Sequence, residues 1–201
     1  MKRTFFKILA LIVVINLTSC GDDDDISSNS YKLQEASSKI EWKGYSPVLF
    51  HVGSFSVKGE DIEVIDGRLF SGTFTIPIVS IQNFDLPEEV KPELLNHLKS
   101  ADFFNLAVHP NAKFIITKVE PSTNPAAETN YIITGNFTML GQTHPISFPA
   151  LIILEGNNLK LDSVFEIDRT KWGMNYAADP ELGEHHILPG VDIKLDILAK
   201  K

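Results

Sequence analysis

The sequence predicts an all-β fold, an antiparallel β-barrel of about eight strands with one short amphipathic helix. Three observations carry this. Apolar and polar residues alternate with period two over long stretches, Gly- and Asn-bearing turn signals separate those stretches, and a single segment shows helical spacing instead. No repeat at solenoid spacing is present.

Taken in order, Ile40, Trp42 and Gly44 oppose Lys39, Glu41 and Lys43. Tyr131, Ile133, Gly135, Phe137 and Met139 oppose Ile132, Thr134, Asn136 and Thr138. Leu159, Leu161, Ser163, Phe165 and Ile167 oppose Lys160, Asp162, Val164 and Glu166, and Val191, Ile193, Leu195, Ile197 and Ala199 oppose Asp192, Lys194, Asp196 and Leu198. One dry and one wet face per strand belong to antiparallel sheets, because parallel sheets bury both. Further strands are expected at 50–57, 62–65, 68–79, 112–120 and 143–154. Pro77 and Pro149 should then sit at edges, bulges or strand ends. Asp66-Gly67 signals a hairpin, and Gly141-Gln142 and Asn157-Asn158 read as turns. From Glu88 to Lys99, Leu94, Leu95 and Leu98 fall at helical spacing behind Pro87 and Pro92, a helix to lie over a sheet edge or barrel mouth. Arg169 to Met174 reads as a helical turn capped by Asp168. Strands near ten residues favour a barrel over a sandwich, since closure removes exposed edges.

The chain begins with a processing signal. Lys2, Arg3 and Lys7 precede a mostly apolar stretch, Phe5 to Leu17, whose thirteen residues rise only about 20 Å as a helix where a bilayer core needs about 30 Å. Residues 1–19 therefore read as a secretory signal peptide rather than a membrane span. Leu17-Thr18-Ser19-Cys20 resembles the lipobox of bacterial lipoproteins, which implies that Cys20 carries a thioether-linked diacylglycerol and becomes the first mature residue. Residues 20–30 read as that lipidated cysteine and an acidic, flexible tether, with Asp22 to Asp25 in a row. The acidic run resembles the surface-export signal of Bacteroidetes lipoproteins. An outer-membrane lipoprotein of a Gram-negative envelope is expected, facing the periplasm or the cell surface.

Cys20 is the one cysteine, so no intramolecular disulfide forms and the core alone holds the fold. Residues 31–201 make one domain of about 170 residues, large enough for a sizeable core. The net charge of −8 falls to about −11 when the basic leader is removed, which excludes a basic nucleic-acid footprint and electrostatic adhesion to anionic lipid.

Four segments carry a family likeness: His51 to Gly59 (HVGSFSVKG), His97 to Phe104 (HLKSADFF) running on to Pro110–Phe114, Gly135 to Pro145 (GNFTMLGQTHP), and Ile167 to Asn175 (IDRTKWGMN). In this order they resemble the YceI-like family over about residues 31 to 199. The resemblance implies a lipocalin-like barrel with an elongated apolar cavity for a polyisoprenoid, an isoprenoid quinone or a fatty-acid derivative, and it brings no catalytic residues. The loop Ala177–Pro189 departs from it, being longer and more polar than the family's last hairpin. On this reading the ligand touches Trp42, His51, Phe55, Phe74, Ile76, Phe114, Ile133, Phe137, Phe148, Phe165 and Trp172, with His51 near the mouth. Alternation by itself does not distinguish a lined cavity from a barrel filled by these side chains. A filled barrel would make the protein a surface lipoprotein that acts by protein contact.

The sequence offers little to an enzyme. It has no Gly-x-Ser-x-Gly elbow and no phosphate-cradling glycine loop. Glu166 and Asp168 could pair as carboxylates, but a solvated face with Asp168 as a cap accounts for them. Asp179, Glu181, Glu184, His185 and His186 form a polar loop in which adjacent histidines diverge, so no metal site is expected. His144 precedes Pro145 in an expected turn. No cofactor is expected beyond a bound isoprenoid or other long-chain lipid. The expected partners are that lipid, the membrane through the N-terminal anchor, and a second copy of the chain in a homodimer.

Overall fold

A computed structural model of the chain describes residues 27–124 and 128–201. Residues 1–26, where the signal peptide, the lipidated Cys20 and most of the tether are expected, lie outside the described residues. The eleven strands are β1 (Ser28–Leu33), β2 (Lys39–Tyr45), β3 (Phe50–Phe55), β4 (Lys58–Ile65), β5 (Arg68–Pro77), β6 (Gln82–Asn83), β7 (Asn111–Pro121), β8 (Tyr131–Met139), β9 (Gln142–Glu155), β10 (Asn158–Asp168) and β11 (Gly190–Lys200). One α-helix among the described residues, α1 (Lys91–Lys99), lies between β6 and β7.

These segments build a closed antiparallel barrel of eight staves. β1 and β2 run end to end along one edge of β11: Leu33 faces Ala199, and Lys39 to Gly44 face Asp196 to Val191. The 3-10 turn Glu35–Ser37 interrupts them, and Ser38 Oγ holds the break by accepting from the Leu198 N–H at 3.0 Å. β3 and β4 likewise form one stave against β2 and β1. β5 continues through the 3-10 turn Ile78–Ser80 into β6, which pairs back onto β3. β7 to β11 follow as a meander. Every stave neighbours the next in sequence, as short hairpin connections require.

Alternation set the faces as expected. On β10, Leu159, Leu161 and Ser163 are buried, while Lys160 and Val164 are exposed. Two-residue turns join β4 to β5, β8 to β9 and β9 to β10. Asp66 and Gly67 both take positive φ (47° and 71°), the geometry that matches strand twist. Two expected turns shift by one residue. Leu140-Gly141 and Gly156-Asn157 form the corners, because Gln142 and Asn158 already pair with Met139 and Glu155. Three residues read as tether, Ser28 to Ser30, belong to β1, where Ser28 pairs with Ile65. His144 is not in a turn but inside β9, opposite Phe137. Pro77 ends β5. Pro149 lies within β9, and the β10 ladder begins only at Leu151, so its missing N–H is tolerated beside an unpaired side of the strand.

The two ends of the barrel differ. At the end holding Ser28 and the turns at 66–67 and 156–157, Tyr31, Ile62, Val64, Leu69, Ile152, Leu159 and Ala199 pack into a solid core. At the other end, the staves surround open space beneath α1 and the loops at 46–49 and 174–189.

Candidate functional site: an apolar cavity with one mouth

A cavity of about 440 Å³ occupies the mouth half of the barrel, within the range of small-molecule pockets. Its walls are the inward side chains of every stave, among them Ile40, Trp42, Phe55, Phe74, Ile76, Phe114, Ile133, Phe137, Phe148, Phe165, Val191, Ile193 and Ile197. The interior is therefore packed at one end and hollow at the other. Its aromatic rings brace one another. Phe148 stacks on Phe165 with centroids 4.2 Å apart, Phe114 tilts onto Phe148 at 5.5 Å, and Phe55 meets Phe104 edge-on at 5.5 Å. Gly135 makes room for Phe114, since a Cβ there would come within 2.3 Å of the ring.

Ten of the eleven expected contact residues line this space. Trp172 does not. It ends the 3-10 turn Arg169–Trp172 outside the wall, 1% exposed, donates from Nε1 to the Phe137 carbonyl at 3.0 Å, and packs edge-on against Phe137 and His144. It buttresses the wall from behind. Its place follows from the turn after β10, where strand alternation no longer applies.

The mouth carries the polar groups. His51, on β3, points its Nδ1 at Asp85 Oδ2, 2.7 Å away. Asp85 Oδ1 accepts from the Val52 N–H at 2.8 Å and from Asn83 Nδ2 at 2.7 Å. Burial alone would raise the Asp85 carboxyl, but these hydrogen bonds outweigh it and hold its pKa below the usual value. Asn83 is itself buried and also donates to the Val52 carbonyl while accepting from the Leu86 N–H. Tyr45 Oη donates to Asp192 at 2.5 Å, which raises the tyrosine pKa. Leu94, His97 and Leu98 of α1 cover part of the opening, so the helix lies over the mouth, one of the two places expected.

Arg169 ties down the long last loop. The residue is 3% exposed, and its guanidinium donates to the carbonyls of Met174, Tyr176, Ile187 and Leu188. Burial lowers its pKa, and the nearby Asp168 charge opposes that shift. Asp168 caps the turn, its carboxylate accepting from Thr170 N and Oγ1. Asp179 caps the next turn, accepting from the Glu181 N–H. Among the described residues no three His, Cys, Asp or Glu side chains converge as a metal site, and Glu181, Glu184, His185 and His186 do not gather with Asp179.

Sequence reasoning missed Asp85, Asn83 and the loop residues Ile187 and Leu188 that complete the lining. No local pattern joins Asp85 to His51, 34 residues apart.

Comparison with known proteins gives a consistent result. The YceI-like domain model matches residues 31–199. A UPF0312 protein of Pseudomonas putida is 29% identical over 164 residues, 79% of this chain and 77% of that protein. A UPF0312 protein of Pectobacterium atrosepticum is 39% identical over 62 residues, which span 31% of this chain and only 30% of that relative. Among solved structures, BcnA of Burkholderia cenocepacia superposes with a TM-score of 0.65 at 19% identity, covering 84% of this chain and 99% of its own. A polyisoprenoid binding domain from Saccharophagus degradans does so at 0.61 and 10% identity, covering 85% and 97%. At such identities the superpositions speak for the barrel alone, whereas the domain match runs through nearly all of it, and the chain belongs to the YceI-like family.

Proposed function

We propose that this protein binds a long-chain apolar lipid (a polyisoprenoid, an isoprenoid quinone or a fatty-acid derivative) inside its barrel, for transport or sequestration at the cell envelope, and that it acts by binding rather than catalysis. The observation that carries this reading is the cavity of about 440 Å³, walled almost wholly by apolar side chains and open at one end. The fold likeness to a polyisoprenoid binding domain supports it. So does the energetics. Each methylene removed from water contributes about 0.8 kcal/mol, so a twenty-carbon tail offers roughly 16 kcal/mol gross, less the cost of immobilising it. Affinity then needs few polar contacts, and tails of similar length should be tolerated. The hollow mouth half weighs against a filled barrel that acts by protein contact alone.

Native mass spectrometry and lipid extraction of the purified protein test this reading. A stoichiometric long-chain lipid is expected, and empty protein from several expression hosts would overturn it. The envelope anchor is tested separately. Wild type should incorporate labelled fatty acid and partition into detergent, and Cys20→Ser should do neither.

A further inference from the structure

We propose that the mouth selects lipids whose head group donates a hydrogen bond, a hydroxyl above all, and that His51 Nε2 receives it. This rests on the lipid-binding reading and adds to it which head group is favoured.

Seven lining residues bring side-chain nitrogen or oxygen atoms to the cavity: Trp42, Tyr45, Ser46, His51, His97, Arg169 and Glu184. The Trp42 indole N–H is buried without a partner, but it lies one pleat further in than His51, beside the tail rather than the head, because Trp42 pairs with Gly53 where His51 pairs with Gly44. The donors nearer the mouth are engaged. The Tyr45 hydroxyl donates to Asp192. The Ser46 hydroxyl faces the Leu49 carbonyl and accepts from the Leu49 N–H, closing its own turn. Four backbone carbonyls surround the Arg169 guanidinium, the one cationic side chain on the lining besides the histidines. Glu184, as a carboxylate, only accepts.

The two histidines complete the pattern. Asp85 is ionised and has no proton to give, so the proton between it and His51 sits on His51 Nδ1. In the neutral imidazole, Nε2 then presents a lone pair. His97 is arranged the same way with the nitrogens exchanged, its Nε2 facing Asp102 at 3.0 Å and its Nδ1 left as the acceptor. The Asn83–Asp85 pair fixes the His51 ring as an outer hydrogen-bond shell fixes a ligand-bearing histidine. The mouth thus offers side-chain acceptors and a carboxylate, with no lysine on the lining. A phosphate, diphosphate or carboxylate head would meet the Glu184 carboxylate, while the one ammonium beside the lining, Lys43, is drawn over the Tyr45 and Phe50 rings. A hydroxyl head would find a fixed acceptor.

The test uses the full chain stripped of co-purified lipid, at about pH 8, where an imidazole is neutral. Three probes share one tail, geranylgeraniol, its methyl ether and geranylgeranyl diphosphate, and the saturated hydrocarbon phytane has the same carbon skeleton without a head. Affinities are read by isothermal calorimetry. The alcohol should bind roughly three- to tenfold more tightly than the ether, as one partly exposed hydrogen bond allows, and the diphosphate should bind most weakly of the oxygenated probes. His51→Phe should erase the alcohol's advantage over the ether while both, like phytane, still bind. Asp85→Asn is the sharper variant. Its amide oxygen can still accept from Val52 and Asn83 while its nitrogen donates to His51 Nδ1, which moves the imidazole proton to Nε2 and should also cancel the advantage. Equal wild-type affinity for alcohol and ether, a diphosphate that binds tightest, or an advantage that survives both variants overturns the proposal while lipid binding stands. Failure of every probe to bind, phytane included, sinks the lipid-binding reading itself. The wild-type series decides the matter even if a variant does not fold.

Discussion

Phe148 and Phe165 face each other with ring centroids 4.2 Å apart and planes only 6° from parallel, on two strands whose hydrogen-bonded ladder has already ended. That ladder pairs Leu151 with Asp162 and goes no further toward the mouth. Pro149 cannot donate, and beyond it the wall between β9 and β10 is closed by this stack and by Ser163 Oγ, which donates to the Pro149 carbonyl at 2.5 Å. Side-chain contact replaces backbone pairing in that part of the barrel.

Truncating Phe165 to Ala should therefore open the wall as well as the core. We expect a loss of about 3 kcal/mol in urea unfolding, typical for a phenylalanine removed from a packed site. Ser163→Ala, which leaves one carbonyl without its donor, should cost about 1 kcal/mol. Amide exchange at 163–167 should rise in the Phe165 variant and stay near wild type at 158–162, where the ladder is intact.

Arg169 makes a second prediction. Replacing it by Met keeps much of the bulk and strips the donors from four backbone carbonyls. The expected cost is about 3 kcal/mol or more, with faster exchange and proteolysis confined to residues 174–188. Arg169→Lys should recover only part of this, since an ammonium cannot span the fork of contacts a guanidinium makes. A variant whose loop stays as protected as wild type would show that the loop is held by other means.

The cavity can be filled without disturbing its walls. Gly44 lines it, and a Cβ built there meets nothing within 4 Å. Gly44→Phe should leave stability unchanged or raise it by up to about 1 kcal/mol, because glycine is costly inside a strand. A ring that displaces two or three methylenes of a bound tail should cost about 2 kcal/mol, roughly thirtyfold in affinity. Thermal unfolding and lipid occupancy measured on one preparation separate these effects. Unchanged occupancy would place the lipid elsewhere.

The Asp85 network predicts a pH dependence of definite sign. Its folded pKa lies below the ordinary 3.8, so the folded state favours the charged form. The resulting stabilisation is present in full above the unfolded value and disappears as pH falls through the lowered one. Glu41, held down by Lys39 and Lys194, behaves likewise and is common to wild type and variant. Between about pH 5 and pH 2.5, a window around the ordinary carboxylate values, the urea midpoint should fall more steeply for wild type than for Asp85→Asn. Parallel curves would mean that the His51–Asp85 contact contributes nothing to folding.

Much of this fold was legible in the alternation. The inward sets on β2, β8, β10 and β11 are the residues the period-two pattern selects, because a pleated strand leaves no other choice of face. The helix could be read from three leucines. The hollow came from the family likeness and was not legible in the alternation, since Tyr31, Ile62 and Leu69 at the solid end alternate just as Ile40, Phe55 and Phe165 do at the open end. Alternation gives direction and carries no information on how far opposite walls stand apart. The in-line staves were hidden for another reason. The breaks at Glu35–Ser37 and Ile78–Ser80 look like ordinary loops until the pairing of both flanks with one neighbour is seen. Trp172 lies behind the wall because the turn read at 169–174 carries it past the end of β10, where alternation gives no direction. Asp85 went unnoticed because its partner is distant in sequence.

One consequence follows from the barrel being packed at the Ser28 end and open at the other. It is a cul-de-sac. A guest that enters tail first leaves by backing out and is not threaded from one face of the molecule to the other, because among the described residues the opposite end is packed. β1 begins at Ser28 on the packed end, so the chain enters the barrel on the side opposite the doorway.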